Sequence, residues 1–253
     1  MKLIRFVLIA TTVSCSYALD FQVTLPAVAD IFAAGHGYLP GTTNPGIFPT
    51  SLSFLPAFGE TLIFPSVSGS LACDISASSG ADGSCGSTDT SIDNIGGLSG
   101  IFVAGSNMFL AGVFLDSQEP SGLGPDALQY NTGALGSLNT TDAVFSPTLA
   151  QVFFIGDGRA GDNSIQRFTV PNGATRLLLG FAGTSSGLPS FDAHNGGALV
   201  ATFDIGALPG NLTASDTPEP PSYSLILGGL LVGLTLLSRK YLVSNPAARF
   251  EQT

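Results

Sequence analysis

From residue 19 to residue 217, no run of a dozen residues can be laid out as a capped amphipathic helix, because Gly, Pro, Asn or Asp breaks the chain at short intervals. The chain carries 32 Gly and 16 Pro. A backbone interrupted this often completes only short elements, and its apolar residues fall at the two-residue period of strands. Leu199, Ala201, Phe203 and Ile205 alternate with Val200, Thr202 and Asp204, and Leu177, Leu179 and Phe181 do the same against Arg176 and Gly180. Further strands are expected at residues 61–64, 101–104, 108–115, 151–155 and 165–170. With 44% hydrophobic residues the chain is too apolar to stay disordered. The expected fold is all-β, a β-sandwich or jelly roll, and no strict internal repeat points to a propeller or solenoid.

Charge separates the chain into parts. Only 10% of its residues are charged, against about 25% in an ordinary soluble domain. Between residues 19 and 217 stand sixteen acids and three bases, Arg159, Arg167 and Arg176, a net of −13. No lysine occurs between Lys2 and Lys240. Phosphate binding needs clustered Lys and Arg, so nucleic acid is excluded as the partner, and a divalent cation is the more natural charge partner.

The two ends read as targeting segments. Lys2 and Arg5 precede an apolar run at residues 6–10, and Ser16-Tyr17-Ala18 puts small residues at the −3 and −1 positions of a cleavage site, so residues 1–18 are expected to be a secretory signal peptide. Lipidation at Cys15 would want a Leu-like residue where Thr12 stands. Near the other end, residues 220–238 are uncharged and would make a helix of about 28 Å, long enough to cross a bilayer. Arg239 and Lys240 follow and would be held on the cytoplasmic side, leaving the body outside the membrane. Gly229 and Gly233 have the spacing that lets two membrane helices approach closely.

Pro218-Glu219-Pro220, the run Leu225-Ile226-Leu227-Gly228-Gly229-Leu230-Leu231, and then Arg239-Lys240 together resemble the PEP-CTERM sorting signal of bacteria that make exopolysaccharide. The resemblance covers about 25 residues and lies in the order of the parts. It implies that an exosortase-type transpeptidase recognises Pro218, Glu219 and Pro220 as a substrate site, cleaves nearby and transfers the protein to a surface anchor. The tail, residues 241–253, is longer than the few basic residues usual in that family. The expected organisation is a signal peptide at 1–18, an N-terminal extension at 19–57, a β-sandwich at 58–210, a linker at 211–217 and the sorting signal with its transmembrane helix at 218–242.

Export removes Cys15 with the signal and leaves Cys73 and Cys85 in an oxidising compartment. Twelve positions apart, they are best read as one disulfide closing a Gly/Ser/Asp loop. A loop of that size would gain on the order of 3 kcal/mol from closure in the chain-entropy model.

The body also has a family look. Leu110-Ala111-Gly112-Val113-Phe114-Leu115-Asp116, Gln151-Val152-Phe153-Phe154-Ile155-Gly156-Asp157-Gly158 and Val170-Pro171-Asn172-Gly173-Ala174-Thr175-Arg176-Leu177-Leu178-Leu179-Gly180-Phe181 resemble the exported domains often found ahead of such signals. Those domains are similar to the small calcium-dependent galactose lectins, which are galactose-binding-like β-sandwiches. In the lectins a late loop gives an Asp and an adjacent Asn pair to calcium, and the sugar binds through the metal. Here Gly183 stands near the Asp position, His194 at the first Asn and Asn195 at the second, so Asn195 alone carries over. Asp192 is the candidate substitute carboxylate, since calcium takes oxygen ligands and tolerates irregular geometry. The same residues before Gly196-Gly197 are usual turn formers, and a structural turn also fits them.

Three motifs suggest chemistry that their context contradicts. Gly156, Gly158 and Gly161 satisfy G-x-G-x-x-G, but a strand-like run ending at Pro171 follows them where a dinucleotide site needs a helix. Gly183-Thr184-Ser185-Ser186-Gly187 satisfies the hydrolase elbow G-x-S-x-G, yet Pro189 arrives before a helix could form, and its base would have to be His194 or His36. Asp74, Asp82, Asp89 and Asp93 crowd the disulfide loop without a base, as a solvated acidic loop would. No catalytic residue is expected. The reading is a non-enzymatic, envelope-anchored surface or matrix protein associated with exopolysaccharide or adhesion. The alternatives are a calcium-dependent carbohydrate-binding module and an envelope hydrolase using Ser185.

Overall fold

The computed structural model describes residues 21–39, 46–54, 60–73, 77–85, 88–183, 189 and 195–206. Among them the protein is all-β, with thirteen strands in three sheets, one short 3-10 turn and no α-helix. In chain order the first elements are β1 (Phe21–Pro26), the 3-10 turn (Ile31–Ala33), β2 (Thr50–Ser53), β3 (Thr61–Cys73), β4 (Ala77–Ser79), β5 (Thr90–Ile92) and β6 (Ile101–Val103). β7 (Phe109–Leu115), β8 (Leu128–Tyr130), β9 (Val144–Phe145), β10 (Val152–Phe154), β11 (Arg167–Thr169), β12 (Arg176–Ala182) and β13 (Gly196–Ile205) complete the order. The largest sheet runs β1-β13-β3-β11-β9, with β4 beside the far end of β3. The second runs β10-β7-β12-β2 and is antiparallel throughout. A small third sheet, β5-β6-β8, joins β6 to β8 in parallel.

The alternation expected in β13 is present up to a point. Leu199, Ala201 and Phe203 are buried while Val200 and Thr202 are half-buried. Between Thr202 and Asp204 the register against β3 shifts, and beyond the shift Asp204 is buried while Ile205 is only half-buried. A bulge adds one residue to one strand and so exchanges the two faces.

In β12 the alternation gives way to burial of every residue from Leu177 to Ala182. Its neighbours explain this. β7 lies along one edge, β2 along the other from Arg176 to Leu179, and where β2 ends Ala29 and Asp30 take over, with the Phe181 amide donating to the Ala29 carbonyl at 2.7 Å. The approach is close because residue 180 is glycine: a Cβ there would lie 2.9 Å from the Ala29 oxygen and 3.0 Å from the Ile31 nitrogen.

Within the segment expected as an extension at 19–57, β1 and β2 are thus part of the sheets. β1 pairs with β13 over six residues and β2 pairs with β12, while Ile31 and Phe32 of the 3-10 turn are fully buried. These strands find their hydrogen-bond partners more than a hundred positions away.

Phenylalanines tie the sheets into one core. Phe153 of β10 lies 5.2 Å from Phe168 of β11, joining the second sheet to the first. Tyr130 of β8 contacts Phe145 of β9 at 5.8 Å and Phe154 of β10 at 5.9 Å, so all three sheets meet at its ring. Its hydroxyl accepts from the Phe154 amide at 3.3 Å, and burial pushes the phenol above its ordinary range. Pairs of this kind add about 0.5–1.5 kcal/mol each beyond area burial.

Cys73, at the end of β3, and Cys85 have Cα atoms 5.9 Å apart, the separation a disulfide spans. The contacts divide the chain into one unit, Met1–Pro209, and a second, Gly210–Thr253. The expected signal peptide, linker and membrane helix, with Pro218, Glu219 and Pro220, all lie outside the described residues.

Candidate functional site

Asn195 marks where the late loop rejoins the sheet, and its side-chain amide reaches the Met108 sulfur at 3.5 Å. Met108 sits in a turn with φ of 64°, directly before β7. The early, disulfide-bearing loop packs on the same turn: the Cys85 amide donates to the Asn107 carbonyl at 3.3 Å, and the Asn107 side chain donates to Thr88 Oγ1 at 2.8 Å. Two residues beyond Met108, the Leu110 amide donates to the Ala81 carbonyl, and the Leu110 carbonyl accepts from Ile155 at 3.0 Å and Gly156 at 3.1 Å. Residues 107–110 therefore gather the disulfide loop, the turn after β10 and the start of β13 at one place. Asp192 and His194 lie outside the described residues, as do Ser185 and Asp74.

The acids near this turn are engaged with backbone. Asp82 Oδ1 accepts from the Asp157 amide at 2.9 Å, Asp157 Oδ1 accepts from the Arg159 amide at 2.8 Å, and Asp89 Oδ1 accepts from Gly105 at 2.8 Å. Burial raises the Asp82 carboxyl above its usual range; the Asp157 amide opposes the rise and the nearby Asp157 charge adds to it. Among the described residues no three His, Cys, Asp or Glu side chains converge to hold a metal. Calcium binding here would need Asp192 beside Asn195. The glycines of the G-x-G-x-x-G match form a turn: Gly156 and Gly158 have φ of 60° and 75°, the Gly158 amide donates to Ile155, and β11 follows instead of a helix.

A second place has the shape of a site. A cleft of about 500 Å³ lies against residues 115–125, within the range of small-molecule pockets. Leu115, Pro120, Leu123 and Leu149 give it apolar walls, and Asp116 and Glu119 give it carboxylates. Side chains from distant parts of the chain hold this loop by its carbonyls. Arg176 donates to Asp116 at 2.7 Å through Nε and to Gln118 at 2.6 Å through Nη2. At the other end Asn94 donates to Gly124 and Pro125, and Gln151 donates to Asp126 at 2.8 Å. Fixing both ends shapes the loop before any ligand arrives. Between them Leu123 is 97% exposed.

His36 supports the cleft wall. Its Nδ1 lies 3.4 Å from Glu119 Oε1, its ring is tilted against Tyr38 at 5.1 Å, and its Nε2 is buried without a hydrogen-bond partner. Gly96 lies under the ring: a Cβ there would come within 2.6 Å of Nε2. Sequence reasoning passed over Asp116, Glu119 and Arg176 as a set. The local signal was Asp116-Ser117-Gln118-Glu119-Pro120, two acids ahead of a proline after a strand, which many surface loops share.

No family model, no curated protein and no solved structure matches the chain.

Proposed function

We propose that the chain is an exported, non-enzymatic envelope protein, processed at Pro218-Glu219-Pro220 by an exosortase-type transpeptidase and retained at the surface within or beside an exopolysaccharide layer. The observation that carries this reading is the order of parts: a basic-apolar leader, a lysine-free acidic body, Pro-Glu-Pro, an apolar run of membrane length, then Arg239-Lys240. The body supports it physically. It is all-β, and it carries a cysteine pair at disulfide distance, as suits an oxidising compartment. Cells producing the chain with and without residues 218–220 would be fractionated; the intact chain should stay with the envelope and the deletion should lose its surface anchor. Identical retention of both refutes the sorting claim.

A second reading is a galactose-binding-like module that takes carbohydrate through calcium. Its support is that Asn195 and the disulfide loop meet the same turn at Asn107 and Met108, so ligands from an early and a late loop would face one place. Calorimetry against calcium and then a sugar panel tests it. A calcium-dependent rise in melting temperature, lost in Asp192→Ala and Asn195→Ala, is expected; no binding and no rise ends this reading.

A further inference from the structure

We propose that the cleft against residues 115–125 binds a saccharide bearing free amines, such as a stretch of de-acetylated hexosamine polymer. The choice of a polysaccharide rests on the envelope reading above; the choice of an amine rests on the cleft itself.

The lining is apolar on some sides and rich in acceptors on others. Pro120, Leu123 and Leu149 offer aliphatic surface to the C–H face of a sugar ring, while Asp116 and Glu119 present carboxylates. Asp116 Oδ1 accepts from the Gln118 amide, and Glu119, whose side chain is 57% exposed, meets His36 with one oxygen. Among the described residues neither cleft acid is ion-paired to a lysine or arginine side chain; Glu119 meets His36. Arg176 is the nearest guanidinium, and its Nε and Nη2 are directed to the loop carbonyls. An ammonium group on a ring would give each carboxylate a charge-assisted hydrogen bond, about twice as strong as a neutral one. A hydroxyl in the same place would bring no positive charge to the carboxylate, and an N-acetyl group would remove that charge from the ring.

The wider field acts in the same direction. A body carrying −13 draws a polycation and repels a polyanion, and the attraction weakens as salt shortens the screening length to about 8 Å at physiological ionic strength. The pinned loop means that little ordering cost remains to be met on binding.

The test is titration calorimetry of the full chain in detergent with glucosamine oligomers, N-acetylglucosamine oligomers and neutral glucose oligomers, free of calcium. Binding of the amine oligomer alone, weakened at least about tenfold in Asp116→Asn/Glu119→Gln, is expected from two lost charge-assisted bonds. Asp162→Asn, a control that removes one fully exposed charge away from the cleft lining, should leave affinity within about twofold. If the double variant does not fold, Glu119→Gln alone carries the test, since that side chain is largely exposed. Equal binding of the acetylated or neutral oligomers, unchanged affinity in the cleft variants, an equal loss in Asp162→Asn, or no binding at all each overturns the proposal. None of these results depends on cellular sorting, so the envelope reading stands or falls separately by fractionation.

Discussion

Asp30 is fully buried, and only one of its carboxylate oxygens has a partner: Oδ1 accepts from the Phe32 amide at 2.8 Å and caps the 3-10 turn, while Oδ2 has none. Burial raises its carboxyl from 3.8 to about 6, against the opposing hydrogen bond from Phe32. The sign follows from linkage. Between these two values the folded protein holds a proton that the unfolded chain has released, so stability from this group is fully present below about 3.8 and is lost as pH rises toward about 6. A shift of about two units corresponds to about 3 kcal/mol. In Asp30→Asn the amide oxygen keeps the cap but nothing titrates. Its NH₂ lacks a partner, at a cost of about 1–3 kcal/mol that is independent of pH. Urea unfolding of both proteins at pH 4 and pH 7 separates the two effects, because every other titrating group cancels in the difference. The stability of the variant relative to the parent should rise by about 2 kcal/mol between pH 4 and pH 7, because at pH 4 the unfolded chain has already begun to release its proton. Parallel pH profiles would refute the argument that a desolvated carboxylate at residue 30 opposes folding at neutral pH.

Other substitutions test other joints of the fold. Tyr130→Phe keeps the ring where three sheets meet but leaves the buried Phe154 amide without its acceptor, so a loss of about 1–3 kcal/mol in chemical denaturation is expected. Gly180→Ala drives a methyl toward the Ala29 carbonyl and should cost about 1–3 kcal/mol, read as a lower melting temperature. Cys73→Ser with Cys85→Ser should cost about 3 kcal/mol, and added reductant should lower the melting temperature of the parent but not of this double variant.

Strand class was legible because pleat periodicity is local. The expected strands at 61–64, 101–104, 108–115, 151–155 and 165–170 all fall on observed ones, with β3 continuing to Cys73 and Met108 turning before β7. Short strands such as Thr90–Ile92 and Leu128–Tyr130 were not legible. Three residues cannot display a period, and these two are strands only because β6 lies between them. The pairing of Cys73 with Cys85 was an expectation from their spacing, and their Cα separation agrees with it.

An all-β body and its acidic, lysine-free character were already present in the residues, since each follows from residue identity or from spacing of a few positions. Long-range pairing placed β1 and β2 in the sheets, buried β12 from Leu177 to Ala182, and turned Asp204 rather than Ile205 inward. It also assembled the cleft, whose loop is held by Asn94, Gln151 and Arg176. Those outcomes depend on which distant strand or side chain covers a given face or carbonyl. A sequence period records only that a residue has a face, and the partner that closes over it is chosen by the folded chain.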